Sequence, residues 1–318
     1  MTVTGATGLI GPVLVGALAE RGAQVTVLSR DPERVHVRFA SAAAVGERRG
    51  PGGEQVVPVE GVHWDLMGEP APAGALAGRD AVVHLAGENV AQRWTSKARQ
   101  AIRDSRVTGT RHLVEGLRSS EPRPRTLVSA SAIGYYGAHG EEPLDEDAPA
   151  GNDFLADVCA DWEREAARAA ELGVRVVQVR TGVVLDSGGG ALRRMLPAFR
   201  LGAGGPVAGG RQYISWIHRD DLIGIILAAL TDERWRGPVN ATAPEPVSNR
   251  DFSRALGRAL GRPSVLPVPG AALRLLYGEM AEIVTTGARV VPAKPLVLGY
   301  EFRHPRLPEA LKSALAPA

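Results

Sequence analysis

The sequence predicts an α/β fold, a doubly wound parallel sheet followed by a smaller C-terminal α/β lobe. Three observations carry this expectation. The first half alternates strand-like and helix-like runs, the pattern of a parallel sheet covered on both faces. A glycine-rich turn, Thr4 to Gly11, lies between the first strand and the first helix. Beyond Asn240 the alternation decays into proline-punctuated short helices. The expected organisation is a Rossmann-type domain over residues 1–240, with segments around 186–216 contributing to the second lobe, and a small substrate-side lobe over 241–318.

The elements follow in order. Thr2 to Thr4 is a very short strand, so short that the natural N-terminus is expected to extend a few residues further. Gly11-Pro12 opens a helix, with proline at the first helical position, where its missing N–H costs nothing. Val13, Leu14, Leu18 and Ala19 are its buried face, and Gly22 stops it before a strand at Gln24 to Ser29. Arg38 to Glu54, rich in Ala, Gly and Arg without a sustained period, reads as an insertion loop. Val56 to Val59 and Ala81 to Ala86 are strands. Ser96 caps a helix with apolar Ile102, Leu113, Val114 and Leu117. Thr126 to Ser131 is a strand, Asp153 starts a helix, and Val174 to Leu185 is a long β-rich run. Gly188 to Gly190 and Gly202 to Gly210 are loops that shape a cleft. Asp251 to Leu260 and Ala271 to Leu276 are short helices.

Composition narrows the function classes. Among 318 residues, 37 basic against 35 acidic side chains leave a net charge of +2 and no concentrated basic stripe, which argues against nucleic acid as a partner. Cys159 is the only cysteine, so no intrachain disulfide forms, in keeping with a reducing compartment. No apolar run is long enough to span a membrane and no signal peptide is readable, so a cytoplasmic location is expected. The seven histidines are scattered without metal-ligand spacing, and no metal is expected.

The turn T-G-A-T-G-L-I-G places Gly5, Gly8 and Gly11 in a G-x-x-G-x-x-G pattern, with Thr7, Leu9 and Ile10 between them. Glycines there permit a tight turn, close approach of backbone to a pyrophosphate and close helix–strand packing. The helix N-terminus adds free N–H donors and partial positive charge for phosphate. The turn is therefore expected to bind a dinucleotide. Nucleotide choice falls at the end of the second strand, where Ser29 and Arg30 suit a 2′-phosphate and favour NADP(H) over NAD(H). Asp31 keeps NAD(H) as the alternative. Asp65 is a candidate acceptor from the adenine amino group, or a plain cap. Leu85, Ala86 and Gly87 end the fourth strand with residues that let the backbone pass close to the cofactor.

The opening turn, H-L-A-G-E-N at His84 to Asn89, S-A-S-A-I-G-Y-Y-G at Ser129 to Gly137 and W-I-H-R-D-D at Trp216 to Asp221 resemble the extended and atypical short-chain dehydrogenase/reductases. Within them the chain is similar to the epimerase-family NAD(P)-binding proteins, including G-Y-E-F-R-H-P-R-L at Gly299 to Leu307 in their small terminal domain. The resemblance implies a Tyr and a Lys four apart on the helix after Asp153, on one face over the nicotinamide. Aligning Glu163 with the glutamate that commonly follows the lysine puts Leu155 and Cys159 at those places, and neither transfers a proton in that role. The dyad is absent.

Ser131, Tyr135 and Tyr136, on and after the fifth strand, are the candidate replacements for proton transfer, the tyrosines alternatively packing as aromatic rings. Asn89, Arg93 and Arg180 are candidate substrate-side residues, Arg180 either gripping an anion or pairing with an acidic neighbour. His218 packs or caps, and one of Asp220 and Asp221 is an N-cap. The expected function is an NADP(H)-binding atypical short-chain dehydrogenase/reductase, an oxidoreductase or nucleotide-sugar-epimerase-like enzyme acting on a small molecule. A non-catalytic NADP(H)-sensing regulatory protein is the alternative. A homodimer is a further expectation, because helices such as those after Ser96 and Asp153 make the dimer interface in many relatives.

Overall fold

The structure, a computed structural model, describes residues 1–45 and 59–316. In chain order the first eleven strands are β1 (Thr2–Thr4), β2 (Thr26–Ser29), β3 (Glu60–His63), β4 (Ala81–His84), β5 (Thr126–Ala132), β6 (Pro143–Leu144), β7 (Arg175–Thr181), β8 (Val183–Leu185), β9 (Tyr213–Ile214), β10 (Trp216–His218) and β11 (Gly237–Ala241). Seven of them form one sheet in the order β11-β7-β5-β4-β1-β2-β3, every pair parallel. The order reverses between β1 and β4, where Thr4 lies opposite His84. At such a switch point the loops leave the sheet in opposite directions and open a crevice at the carboxyl ends of the strands.

Helices α1 (Gly11–Ala19), α2 (Pro32–Val45), α3 (Ala73–Leu76), α4 (Ser96–Ser119) and α5 (Phe154–Ala167) alternate with these strands. The buried face of α1 is Leu14, Val15 and Leu18; Val13 and Ala19 are only partly covered. Each fully buried aliphatic of this size contributes about 1.5–3 kcal/mol. Helix α2 corrects the loop expected from Arg38: Asp31 accepts from the Arg34 N–H at 3.0 Å, Pro32 begins the first turn, and Val35 and Phe39, four apart, are buried on one face. The Ala-rich remainder of the run favours helix through its intrinsic propensity. Residues 46–54 of the expected loop and 56–58 of the expected strand lie outside the described residues, and the strand begins at Glu60. Helix α4 is capped by Thr95, one residue before the expected Ser96, with its Oγ1 accepting from Ala98 N–H at 3.2 Å. Asp153 caps α5 as anticipated, accepting from Ala156 N–H at 2.9 Å.

The second core lies beside the carboxyl edge of the sheet. Helices α6 (Gly190–Arg200), α7 (Arg219–Thr231), α8 (Asn249–Ala259) and α9 (Gly270–Tyr277) follow, and a helix over Leu307–Leu315 ends the described chain. Leu185, Leu192, Leu196, Trp216, Phe252, Leu256 and Leu311 form this smaller core, so residues near 186–216 pack with the C-terminal segments. Strand β10 pairs in parallel with β8, outside the main sheet. Among the described residues no helix is long and apolar enough to cross a membrane.

His84 marks the switch point. It is fully buried, its Nδ1 2.7 Å from Thr4 Oγ1 and its Nε2 3.0 Å from Thr110 Oγ1. Thr4 Oγ1 also accepts the Ala86 N–H at 3.2 Å, tying the glycine turn to the end of β4. Burial lowers the His84 pKa from 6.5 to about 4, so the folded ring stays neutral where the unfolded one takes up a proton. Its contribution to stability is therefore present above pH 6.5 and is lost as the pH falls from 6.5 towards 4. An NMR titration should find the His84 ring neutral down to about pH 5. Protonation near the ordinary histidine value would contradict this placement.

Candidate functional site

The nucleotide half of the site is a backbone cradle. Gly5 has φ +68°, and a Cβ there would sit 2.6 Å from the carbonyl carbon of Leu85. A Cβ on Gly11 would lie 2.4 Å from Ala6 Cα. Both positions therefore need glycine, one for the turn against β4 and one for the turn against α1. Gly8, exposed at the tip, has no such restriction from the main sheet; its Cβ would meet only Gly5 O at 3.2 Å. Thr7 is partly exposed, and its hydroxyl has no hydrogen bond among the described residues. Ile10 is the N-cap of α1 and provides no side-chain acceptor, which leaves the first N–H groups of the helix free for an anion. Leu9 instead points to the second lobe, where a Cβ on Gly189 would strike its Cδ1 at 2.5 Å.

At the end of β2, Arg30 is exposed, and its guanidinium has neither an ion pair nor a hydrogen bond among the described residues. Ser29 Oγ accepts from Asp31 N–H at 3.1 Å. Asp31 is occupied as the cap of α2, so the acidic residue that would speak for NAD(H) has a structural task. Asp65 accepts from Met67 N–H at 3.1 Å, the local turn role that competes with an adenine contact. Leu85 and Ala86 lie against Gly5, and Gly87 lies against Arg106, whose guanidinium would be 3.3 Å from an added Cβ. Arg106 donates to the carbonyls of Glu88 and Ile102, at 3.0 and 3.1 Å, and so holds the loop after β4 against α4. Cradle, helix N-terminus and unpaired Arg30 together fit a dinucleotide carrying an extra phosphate on the adenosine ribose.

The polar half is organised by Arg180. Only 3% exposed, it donates from Nε to Glu163 Oε1 and from Nη2 to Glu163 Oε2, both at 2.8 Å. Its Nη1 donates to Tyr136 Oη at 2.9 Å and to the Glu146 carbonyl at 3.1 Å. The Tyr135 ring lies on the guanidinium, 3.5 Å from its centroid. Of the two roles expected for Arg180, pairing with an acidic neighbour is the one this geometry has; buried, with four of its N–H groups engaged by protein, it is corrected from a residue that grips substrate. Glu163 also accepts from Ser131 Oγ at 2.6 Å, so the Ser131 proton is directed into the protein. Ser129 is buried and donates to Ala130 O at 3.2 Å.

The tyrosines separate. Tyr136 is fully buried, with its hydroxyl 2.6 Å from Asn240 Oδ1 and 2.9 Å from the Asp145 carbonyl. Burial pushes its pKa up to about 12, against the opposing pull of Arg180. A hydroxyl so enclosed meets no substrate, and Tyr136 is corrected from proton donor to structural strut. The Tyr135 hydroxyl has no protein partner among the described residues. Asn240 passes the network on: its N–H donates to Glu146 Oε1 at 2.9 Å and its Nδ2 to Val291 O at 3.0 Å, while Lys294 N–H donates to Glu146 Oε2 at 3.0 Å. Burial raises the Glu146 pKa against these hydrogen bonds.

Leu155 and Cys159 lie against the turn after β5: a Cβ on Gly134 would be 3.3 Å from Leu155 Cβ and 3.8 Å from Cys159 Sγ. Cys159 is buried, and burial pushes its thiol up to about 12, an inert apolar filler. The face where a Tyr/Lys pair would stand is thus apolar. In the segment after β4, Asn89 is exposed and accepts from Ala91 N–H at 3.0 Å. Arg93 is exposed beside Gly278 of the second lobe, with no hydrogen bond from its guanidinium among the described residues. Trp94 packs edge-on to Phe154 at 5.2 Å, and Arg99 stacks on Phe154 while pairing with Glu279 at 2.5 Å. These contacts tie the start of α4 to α5 and to the segment after α9. Glu163, Glu146 and Asn240 were not singled out as site residues by sequence reasoning; only the position of Glu163, eight residues after Leu155, hinted at one of them.

Comparison with known proteins agrees with this geometry. Residues 1–240 match the NAD dependent epimerase/dehydratase family, and residues 268–314 match a domain of unknown function, DUF1731. The chain is 39% identical over 317 residues to an Arabidopsis thaliana protein described as the chloroplastic homolog of epimerase family protein SDR39U1, covering 99% of this chain and 86% of that one. It is 35% identical to human epimerase family protein SDR39U1 over 99% of both chains. The crystal structure of human SDR39U1 (isoform 2) with NADPH superposes with a TM-score of 0.82 at 34% identity, covering 98% of each chain. A UDP-glucuronic acid 4-epimerase from Bacillus cereus shares the fold, at TM-score 0.75 and 18% identity over 98% of this chain and 96% of that one.

Removing one partner of the Arg180–Glu163 pair leaves a buried charge uncompensated. Glu163→Leu and Arg180→Met should each lower unfolding stability by about 3–5 kcal/mol in urea titrations, and the double variant by clearly less than either. Additive losses would show that the two side chains do not act as a pair.

Proposed function

The chain belongs to the NAD dependent epimerase/dehydratase family, and on that premise we propose that it is an NADP(H)-dependent oxidoreductase in which Tyr135 carries the proton. The cofactor reading rests on the glycine cradle, the uncapped start of α1 and the unpaired Arg30, and it agrees with the NADPH in the structure of the human relative. Gly5, Thr7, Gly8, Leu9, Ile10 and Gly11 would hold the pyrophosphate, Ser29 and Arg30 the 2′-phosphate, and Asp65 and Leu85 to Gly87 the adenosine and ribose edges.

The observation that carries the catalytic assignment is the contrast between neighbours: the Tyr136 hydroxyl is enclosed by Asn240 and Arg180, whereas that of Tyr135 has no protein partner among the described residues. Bound NADPH supplies a hydride for a carbonyl carbon. Tyr135 would then donate its phenolic proton to the carbonyl oxygen as that oxygen gains charge, and would be reprotonated from solvent. Arg180 fixes the Tyr135 ring by stacking, and Ser131, turned to Glu163, serves to position Glu163 rather than to transfer protons. Asn89 and Arg93, both exposed after β4, would contact the substrate.

A second reading is favoured by the apolar surface that Leu155 and Cys159 present to Gly134. It is a sensor that binds NADP(H) and reports its redox state without turnover, and a carbonyl-reduction assay separates it from the first. Arg30→Ala should weaken NADPH binding by tenfold or more, about 1.4 kcal/mol, and leave NADH almost unchanged in calorimetric titrations. Tyr135→Phe should retain NADPH affinity and abolish carbonyl reduction. Equal losses for both nucleotides, or full turnover in Tyr135→Phe, would overturn the respective assignment.

A further inference from the structure

The first turn of α7 and the segment after Gly299 meet at a place that the nucleotide site does not use. Asp221, fully buried, accepts the backbone N–H groups of Arg303 at 2.7 Å and His304 at 2.9 Å, which fixes the His304 backbone against the helix start. Both aspartates in this turn thus depart from the expected N-cap role: the cap is His218, whose Nδ1 accepts from Asp220 N–H at 3.1 Å. The His304 ring then lies over the His218 ring, centroids 3.8 Å apart and planes tilted by 37°. Asp220 Oδ2 faces both imidazoles, 3.7 Å from His218 Nδ1 and 3.7 Å from His304 Nε2. The other carboxylate oxygen, Oδ1, is 3.4 Å from Arg219 Nε, and Arg219 turns its Nη1 to Asp186 at 3.1 Å.

We propose that His218, Asp220 and His304 form a binding site for a zinc-like divalent ion that ties the C-terminal segment to α7. Two imidazoles and a carboxylate are the donor set that such an ion selects, with the fourth position left to water. One potential ligand atom from each residue lies within 4.8 Å of the others. Tetrahedral ligands on arms of about 2.0–2.1 Å stand about 3.4 Å apart, so the two 3.7 Å separations from Asp220 close with small movements, and the two imidazole nitrogens, within 4.8 Å of one another, converge by side-chain rotation. His218 is 2% exposed, and its Nε2 is buried without a partner among the described residues, the place of the ring proton in the neutral tautomer. That tautomer presents the Nδ1 lone pair towards Asp220.

The Nδ1 lone pair serves either the helix cap or an ion, so binding exchanges one capping hydrogen bond for a coordinate bond. Asp220 and His304 are partly exposed and give the ion a path from solvent. The carboxylate oxygen held by Arg219 leaves the other as a single, oriented ligand, the second-layer support that metal sites commonly have.

Calorimetry and thermal melts of the chelator-treated full chain, titrated with Zn²⁺ alone, test the site. One ion should bind per chain and raise the melting temperature, and Co²⁺ in its place should give the visible bands of tetrahedral coordination. His304→Ala and the near-isosteric Asp220→Asn should each lower Zn²⁺ affinity by more than about tenfold while keeping the far-UV circular dichroism of the parent. The absence of stoichiometric binding in the parent chain, or binding that survives both substitutions, would overturn the proposal.

Discussion

One buried cation organises the polar half of the site. Arg180 sits at the carboxyl end of β7 with almost no solvent, so its charge has to be met by protein. Glu163 meets it through two parallel hydrogen bonds, and this fork fixes α5 against the sheet. The remaining donors orient Tyr136 and the Glu146 carbonyl, and the flat face of the guanidinium seats the Tyr135 ring. A single charge therefore organises the hydroxyls that turn inward, while that of Tyr135 keeps no protein partner among the described residues. Through Asn240 and Glu146 the same network reaches Val291 and Lys294, so the second lobe is tied to the charge that shapes the cleft.

The nucleotide cradle depends on a different constraint, the space available to the main chain. Gly5 and Gly11 bring the turn against β4 and α1 more closely than any side chain would allow, and the buried Thr4–His84–Thr110 chain locks that approach from beneath. The two halves meet at the switch point of the sheet. One is set by backbone sterics and the other by compensation of a buried charge, so a substitution in one half need not disturb the other.

What was legible in the sequence follows this division. The glycine turn, Pro12 and the end of β2 carry local signals, because turn geometry, helix starts and nucleotide preference are written within a few adjacent residues. The polar half is not local. Tyr135 and Tyr136 are neighbours with the same side chain, and what separates them is supplied by Asn240 and Arg180, 104 and 44 residues away. Helix α2 is not legible past Arg38 because its Arg- and Ala-rich stretch carries no sustained apolar period in the sequence, although Phe39 is buried on the same face as Val35. His218 and His304 appeared scattered for the same reason: their approach depends on Asp221 catching the backbone of a segment 82 and 83 residues further on.

The most direct test is a crystal structure of this chain with NADPH. The account predicts the 2′-phosphate within hydrogen-bonding distance of the Arg30 guanidinium, with the Tyr135 hydroxyl as the protein hydroxyl nearest the reactive carbon of the nicotinamide. A 2′-phosphate held away from Arg30, or a nicotinamide cut off from Tyr135 by Leu155, would contradict it.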